Sequence, residues 1–211
     1  FPQAPDLASF WDNIAAGKDC IEEVPPSRWS VEEYFDPDPQ APEKSYSKWM
    51  GVLEGADEFD PLFFNISPRE AEWMDPQHRL FLQNSWRCIE DACYAPRSLS
   101  ASRCGVFVGC APGEYNQLMN RHGLNAQGFT GGAASILAAR IAYSLNLQGP
   151  CMAIDTACSA SLVALANACD SLALGHSDLA LAGGVYVMWG PSMHIQTSKA
   201  GMLSPHGRCF S

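Results

Sequence analysis

The segment Asp155-Thr156-Ala157-Cys158-Ser159-Ala160-Ser161 carries the residue types best suited to chemistry. A short apolar run precedes it and a long Ala- and Leu-rich run follows, so Cys158 falls where a strand gives way to a helix. A thiol at a helix N-terminus feels the positive end of the helix dipole, which favours the nucleophilic thiolate. The unpaired N–H groups of the same first turn can hold an oxyanion. One turn can therefore supply a nucleophile and part of its electrostatic support. Ala157, Ser159 and Ala160 are small and leave room for a substrate. Position alone keeps a second reading open, because a cysteine in an apolar chain is commonly an inert buried residue. A cysteine hydrolase with water as acceptor is a third, and no Gly-x-Ser-x-Gly elbow or protease-type cysteine signature accompanies it.

The elements that must position this turn are legible around it. Residues 151–155 and 104–109 are short continuous apolar runs of the kind found in buried strands. Residues 178–187 form a third strand candidate, and Gly183-Gly184 within it suggests a bulge or a close backbone approach. Residues 159–174 read as a helix, apolar nearly all round and hence expected in a central buried position. A helix with one charge, Arg140, is expected over 132–145. Ser67-Pro68 and Asp75-Pro76 look like two helix starts with proline in the first turn, the second running to Ala92. Residues 6–16 read as a short helix with Asp6 as its cap and Leu7, Phe10, Trp11 and Ile14 on one face. Residues 21–61 are too rich in proline for long helices, and Trp29, Tyr34, Phe35, Tyr46 and Trp49 should pin them down as a packed irregular excursion. Strands alternating with helices argue for an α/β layered fold.

Composition removes other classes of function. The 211 residues hold 13 basic and 23 acidic side chains, a net charge of -10, which disfavours nucleic acid or an anionic membrane as the main partner. The charge is uneven: residues 1–102 carry 19 acids and 8 bases, residues 103–211 only 4 and 5. The second half therefore reads as interior, covered by something else. The nine cysteines form no C-x-x-C pair, and Cys104, Cys110, Cys151 and Cys169 sit in apolar runs. We expect mostly buried, reduced thiols in a cytoplasmic protein, with no disulfide framework and no metal site. No apolar run reaches the ~18 residues of a membrane span, no secretory leader is expected at Phe1-Pro2-Gln3, and no Gly-rich nucleotide motif argues for a bound cofactor.

The chain resembles the ketosynthase domain of modular type I polyketide synthases, in the thiolase-like superfamily of condensing enzymes. The resemblance runs over essentially its whole length. It rests on Phe59-Asp60-Pro61-Leu62-Phe63-Phe64-Asn65-Ile66-Ser67-Pro68-Arg69-Glu70-Ala71, Met74-Asp75-Pro76-Gln77-His78-Arg79-Leu80, Thr130-Gly131-Gly132, Gly149-Pro150, Asp155-Thr156-Ala157-Cys158-Ser159-Ala160-Ser161-Leu162 and Gly201-Met202-Leu203-Ser204-Pro205, in that order. Met193-His194-Ile195 with Thr197-Ser198-Lys199 looks most like synthases whose acyltransferase acts in trans. The resemblance implies an α/β, thiolase-like layered fold (αβαβα). It also implies that residues 1–211 are the N-terminal part of one ketosynthase domain, lacking the first strand and the C-terminal half.

The implied chemistry is decarboxylative Claisen condensation. Cys158 would take an acyl chain from the phosphopantetheine of an acyl carrier protein, and a malonyl-type extender on a carrier would supply the attacking enolate. The Cys158 N–H would serve one side of the oxyanion hole. No cofactor would be bound directly. Phe129 falls where the family places a residue near the acyl tunnel of the partner subunit, with a packed loop aromatic as the alternative. Residues 151–155 match the strand that pairs across the family's dimer axis, so a homodimer working beside other synthase domains is implied. The family's two catalytic histidines and its lysine belong to the half expected beyond Ser211. His78, His122, His176, His194 and His206 match none of the family's histidine motifs: His78 reads as structural, His122 as a surface loop residue, His176 as a helix-end residue, and His206 as a turn substitution. A catalytically silent ketosynthase, acting as a transfer or scaffolding domain, is the alternative function.

Overall fold

The computed structural model describes residues 1–209. In chain order the elements are α1 (Leu7–Ala15), β1 (Glu22–Glu23), α2 (Val31–Tyr34), β2 (Trp49–Met50), α3 (Pro68–Trp73), α4 (Pro76–Asp91), β3 (Cys104–Gly109), α5 (Tyr115–Met119), α6 (Ala126–Gly132), α7 (Ala134–Ser144), β4 (Cys151–Ile154), α8 (Ala160–Ala173), β5 (Leu179–Gly184) and α9 (Ser192–Lys199). Two compact units result, one of Phe1–Ala56 with the chain from Met188 onward, the other of Asp57–Val187.

In the first unit, Asp6 caps α1 by accepting the Ser9 N–H at 2.7 Å, as its residue type favours. Phe10 stacks on Phe1 with ring centroids 4.1 Å apart, while Leu7, Trp11 and Ile14 stay exposed. Val24, Trp29 and Met50 form a small core beneath the proline-rich excursion. Tyr34, Phe35, Tyr46 and Trp49 are each half-buried, so the aromatics do pin this segment. Its polar anchors run to the far end of the chain: Tyr46 Oη donates to the Leu203 carbonyl, Ser47 Oγ to that of Ser204 and Trp49 Nε1 to that of Pro205. His194 is buried with its ring edge-on to Trp29.

The second unit is built on a parallel sheet of order β4-β3-β5. Central β3 is buried along its whole length. Its side chains alternate between faces, as a strand requires. Phe107 packs on Ala164 and Ala168 of α8, whereas Val106 and Val108 join Leu82, Ile89, Leu137 and Ile141 of α4 and α7. Helices therefore cover both faces, the arrangement expected of parallel strands.

Three expectations are corrected. First, α8 is not buried all round. Ala160, Ala164, Ala168 and Ser171 are covered, but Leu162, Leu165 and Leu172 are 71%, 51% and 43% exposed. Small residues at a spacing of four form the seam that lets α8 lie close on β3, and the leucines fall on the other side. Second, only Cys104 and Cys110 are buried; six cysteines are exposed and Cys20 is intermediate, because most of them lie off the packed faces. Third, Phe129 lies on helix α6 and is 75% exposed, not packed in a loop. Asn125 Oδ1 accepts the Gly128 N–H and starts that helix despite its glycines. Of the two readings of Gly183-Gly184, the close approach holds: β5 runs through both glycines in register with β3, without a bulge.

That close approach fixes the helix start. A methyl group on Gly109 would lie 2.5 Å from the Ala160 carbonyl carbon and 2.6 Å from Ser161 N, and one on Gly184 would lie 2.5 Å from Ser161 Cβ. The first turn of α8 thus rests directly on the C-terminal ends of β3 and β5. Gly109→Ala meets backbone that cannot swing aside, so it should lower stability by ~1–3 kcal/mol, the usual cost of overpacking. Gly183→Ala meets only the edge of the Phe81 ring at 3.3 Å and should cost less. Denaturant unfolding of the two variants beside the parent checks this; equal midpoints for Gly109→Ala and the parent would contradict the packing.

Candidate functional site

Cys158 lies in a single 3-10 turn, Ala157–Ser159, between β4 and α8, and it is exposed. Three local contacts shape the turn. Asp155 Oδ1 accepts the Ala157 N–H at 3.1 Å. Ala157 is held at φ 54°, a left-handed conformation uncommon for a residue with a Cβ. Ser159 Oγ lies 2.9 Å from both the Thr156 carbonyl oxygen and Thr156 Oγ1. The strained residue sits immediately before the cysteine, as often occurs where a reactive side chain is held out from a rigid support. No side chain caps α8, and its neighbour at the N-cap is Ser159 in a helical conformation. The first turn of α8 therefore starts beside Cys158 without a side-chain acceptor, its Ala160 N–H donating to the Ala157 carbonyl.

A rim of polar groups surrounds the strand ends. Cys110, directly after β3, is buried, and its N–H donates to the Ile154 carbonyl. Burial pushes its thiol up, and the Asp155 and Asp75 carboxylates add to the shift. Cys110 is thus kept as a neutral thiol, and Cys158 is the accessible one. Burial raises Asp75 too, against the lowering influence of its Gln77 hydrogen bonds and of Arg79. The Tyr186 hydroxyl is pushed up by burial, then by Glu114, Asp75 and Asp155. Asp75 Oδ1 accepts the Gln77 N–H at 2.9 Å and so caps α4 at this rim.

The sequence-predicted residues separate in space and kind. Cys158 occupies the strand–turn–helix position expected of it. No hydrogen bond or ring contact among the described residues joins Phe129 to that turn. His78 is buried at the start of α4, in keeping with a structural role, whereas His122, His176 and His206 are exposed. Asp75, Gln77, Cys110 and Tyr186 gather at the rim without having been singled out as a group, because only the fold brings segments 75–77, 110 and 186 together. Among the described residues no group of three or more His, Cys, Asp or Glu could hold a metal ion, and no helix is long and apolar enough to cross a membrane.

His78 gives the fold a pH dependence. Burial, with help from the Arg140 charge, pushes its imidazole down to about 3, against ~6.5 in the unfolded chain. The unfolded state therefore binds the extra proton between these values, and stability falls as pH drops through that window. At pH 5 the loss relative to pH 7.5 should be about 2 kcal/mol from this group. Denaturant unfolding at the two pH values checks it, with His78→Gln as the reference that removes this contribution. An identical pH slope in parent and variant would show that His78 protonates freely in the fold.

The family model described as beta-ketoacyl synthase, N-terminal domain, matches residues 1–211. The chain is 49% identical over 212 residues to polyketide synthase ThaG of Burkholderia thailandensis, covering all of this chain and 4% of that protein. A ketosynthase domain of the oxazolomycin system of Streptomyces albus JA3453 superposes with a TM-score of 0.90 at 44% identity, over 97% of this chain and 36% of that one. The ketosynthase from module 6 of the bacillaene synthase of Bacillus subtilis 168 gives 0.85 at 43% identity, over 99% and 34%. The chain thus spans about a third of the solved ketosynthase chains it matches and a small part of the synthase. The parallel sheet with helices on both faces is accordingly the thiolase-like layered arrangement of those ketosynthases.

Proposed function

This chain belongs to the beta-ketoacyl synthase family, as part of a polyketide synthase ketosynthase, and we propose that Cys158 is its acyl-accepting nucleophile. The observation that carries the reading is the exposed thiol on the Ala157–Ser159 turn, at the uncapped N-terminus of α8. The Cys158 thiolate attacks the carbonyl carbon of an acyl thioester carried on the phosphopantetheine of an acyl carrier protein. The resulting oxyanion lies against backbone N–H groups, that of Cys158 among them, which act where charge develops. The carrier thiolate leaves, and the acyl chain stays on Sγ. A malonyl-type thioester on a carrier then loses carbon dioxide, and its enolate carbon bonds to the acyl carbon as the Cys158 thiolate departs. A thiolate suits both halves because it is a good nucleophile and a good leaving group.

Several further features belong to the same reading. Residues 1–211 form the N-terminal part of one ketosynthase domain that acts in the cytoplasm as a homodimer alongside other synthase domains. Edge strand β4, with Cys151 and Met152 exposed, suits pairing with a second copy, and Phe129 on α6 suits contact with the partner's acyl chain. The Met193-His194-Ile195 segment fits a synthase served by an acyltransferase in trans.

Intact-protein mass spectrometry of the full-length parent, mixed with an acyl carrier protein loaded with a short acyl chain, tests the nucleophile. The parent should gain the acyl mass and Cys158→Ala should not. An acyl adduct that persists on Cys158→Ala would assign the nucleophile elsewhere. A parent that is acylated yet forms no carbon–carbon bond with malonyl carrier would be a silent transfer domain.

A further inference from the structure

The loops that follow β3 and β5 leave the sheet beside the Cys158 turn, and one buried side chain joins them. Gln77 is 3% exposed. Its Nε2 donates to the Ala111 carbonyl at 3.2 Å, two residues past the end of β3. Its Oε1 accepts the Val187 N–H at 3.3 Å, three residues past the end of β5. The partners fix the sense of the amide, because a carbonyl needs a donor and an N–H needs an acceptor. The side chain is anchored from below: Gln77 N donates to Asp75 Oδ1, Pro76 opens α4, and the Asp75 N–H donates to the Gly131 carbonyl. The clamp therefore ties the start of a 16-residue helix to both loops.

These loops leave the same strand ends on which the first turn of α8 rests. Val185 N donates to the Gly109 carbonyl and Cys110 N to the Ile154 carbonyl, so the three strand ends are laced into one edge just below the turn. Beyond that lacing, residues 110–111 and 186–187 are tied to each other only through Gln77, among the hydrogen bonds described. We propose that Gln77 is a positioning residue for acyl transfer: its amide sets the separation of the two loops that flank the acyl chain on Cys158. It touches neither the sulfur nor the acyl group. The inference rests on the reading of Cys158 as the acylated residue. The geometry bears on rate because small misplacements of a reacting chain can cost ~100-fold.

The side chain's chemistry makes the role specific. Gln77→Met keeps length and burial but removes both hydrogen bonds. Gln77→Glu keeps the acceptor for Val187 N–H, loses the donor, and sets a second carboxylate beside Asp75. Each variant, in the full-length parent, is mixed with a short-chain acyl N-acetylcysteamine thioester. The maximal rate of Cys158 acylation and the half-saturating concentration are read separately. The rate of Cys158 alkylation by iodoacetamide, which needs no acyl crevice, and the thermal midpoint are recorded alongside. We expect the maximal acylation rate to fall by ~10–100-fold in both variants, with alkylation within about twofold of the parent. Acylation within twofold of the parent in either folded variant would overturn the proposal, whatever the change in midpoint. So would a parallel fall in alkylation, which would place the damage in the turn itself. A parent whose acyl mass survives Cys158→Ala would instead refute the nucleophile assignment, so the two failures are distinguishable.

Discussion

The contact between the first turn of α8 and the backbone at the ends of β3 and β5 is the constraint on which the rest of the structure depends. Two strands in a parallel sheet end side by side, and the helix that follows the third must start on top of them. With side chains at Gly109 and Gly184 the helix would have to lift, since its own carbonyl and Cβ atoms already occupy that volume. Holding it down forces a sharp exit from β4. The chain manages that exit through Ala157 at positive φ, secured by the Asp155 carboxylate. The cysteine is then the next residue and has nowhere to go but outward. A tight packing requirement in the core is thereby converted into an exposed thiol at the start of a helix that no side chain caps.

The electrostatics around the turn are graded by burial. Cys110 and Cys158 flank the same strand ends, yet one is buried beside carboxylates and kept as a thiol, while the other faces solvent. Loss of water pushes Asp75 up against its Gln77 and Arg79 partners, and it pushes Tyr186 up together with the nearby Glu114, Asp75 and Asp155 carboxylates. Desolvation disfavours the charged form of each. The rim thus sets a buried thiol and a partly exposed phenol beside carboxylates, and both are held in their protonated forms. The few ion pairs of the second unit, Arg140 with Glu70 and Arg103 with Asp178, lie elsewhere: one braces α7 against α3, and the other is exposed and of small energetic weight.

Much of this was legible in the residues themselves, and the failures have definite physical causes. β3 and β4 announced themselves as short apolar runs bounded by glycine, proline and aspartate, and Asp75 and Ser67 were readable as caps with proline behind them. Helix α8 was placed correctly, but its burial was not. When Ala and Leu occupy both sides of a helix, periodicity carries no sign of which side is covered, and only the close seam of Ala160, Ala164 and Ala168 decides it. Segment 126–132 carries no helix signal in the sequence because glycine disfavours helix by ~1 kcal/mol per residue, a cost that Asn125 and close packing on α3 offset. The rim was illegible for a different reason. Asp75, Cys110 and Tyr186 are far apart in sequence, and their proximity is a property of the parallel sheet, not of any motif.

The central claim is that Cys158 is reactive because of where the fold puts it. The molecule supplies its own controls, since Cys88, Cys93, Cys151, Cys169 and Cys209 are also exposed. Limited alkylation of the native full-length parent at neutral pH, followed by peptide mass spectrometry, ranks all six in one experiment. The account requires Cys158 to be modified well ahead of the others, and ahead of Cys169 in the body of α8 above all. If Cys158 reacts no faster than Cys169, the turn confers exposure without activation, and the account fails.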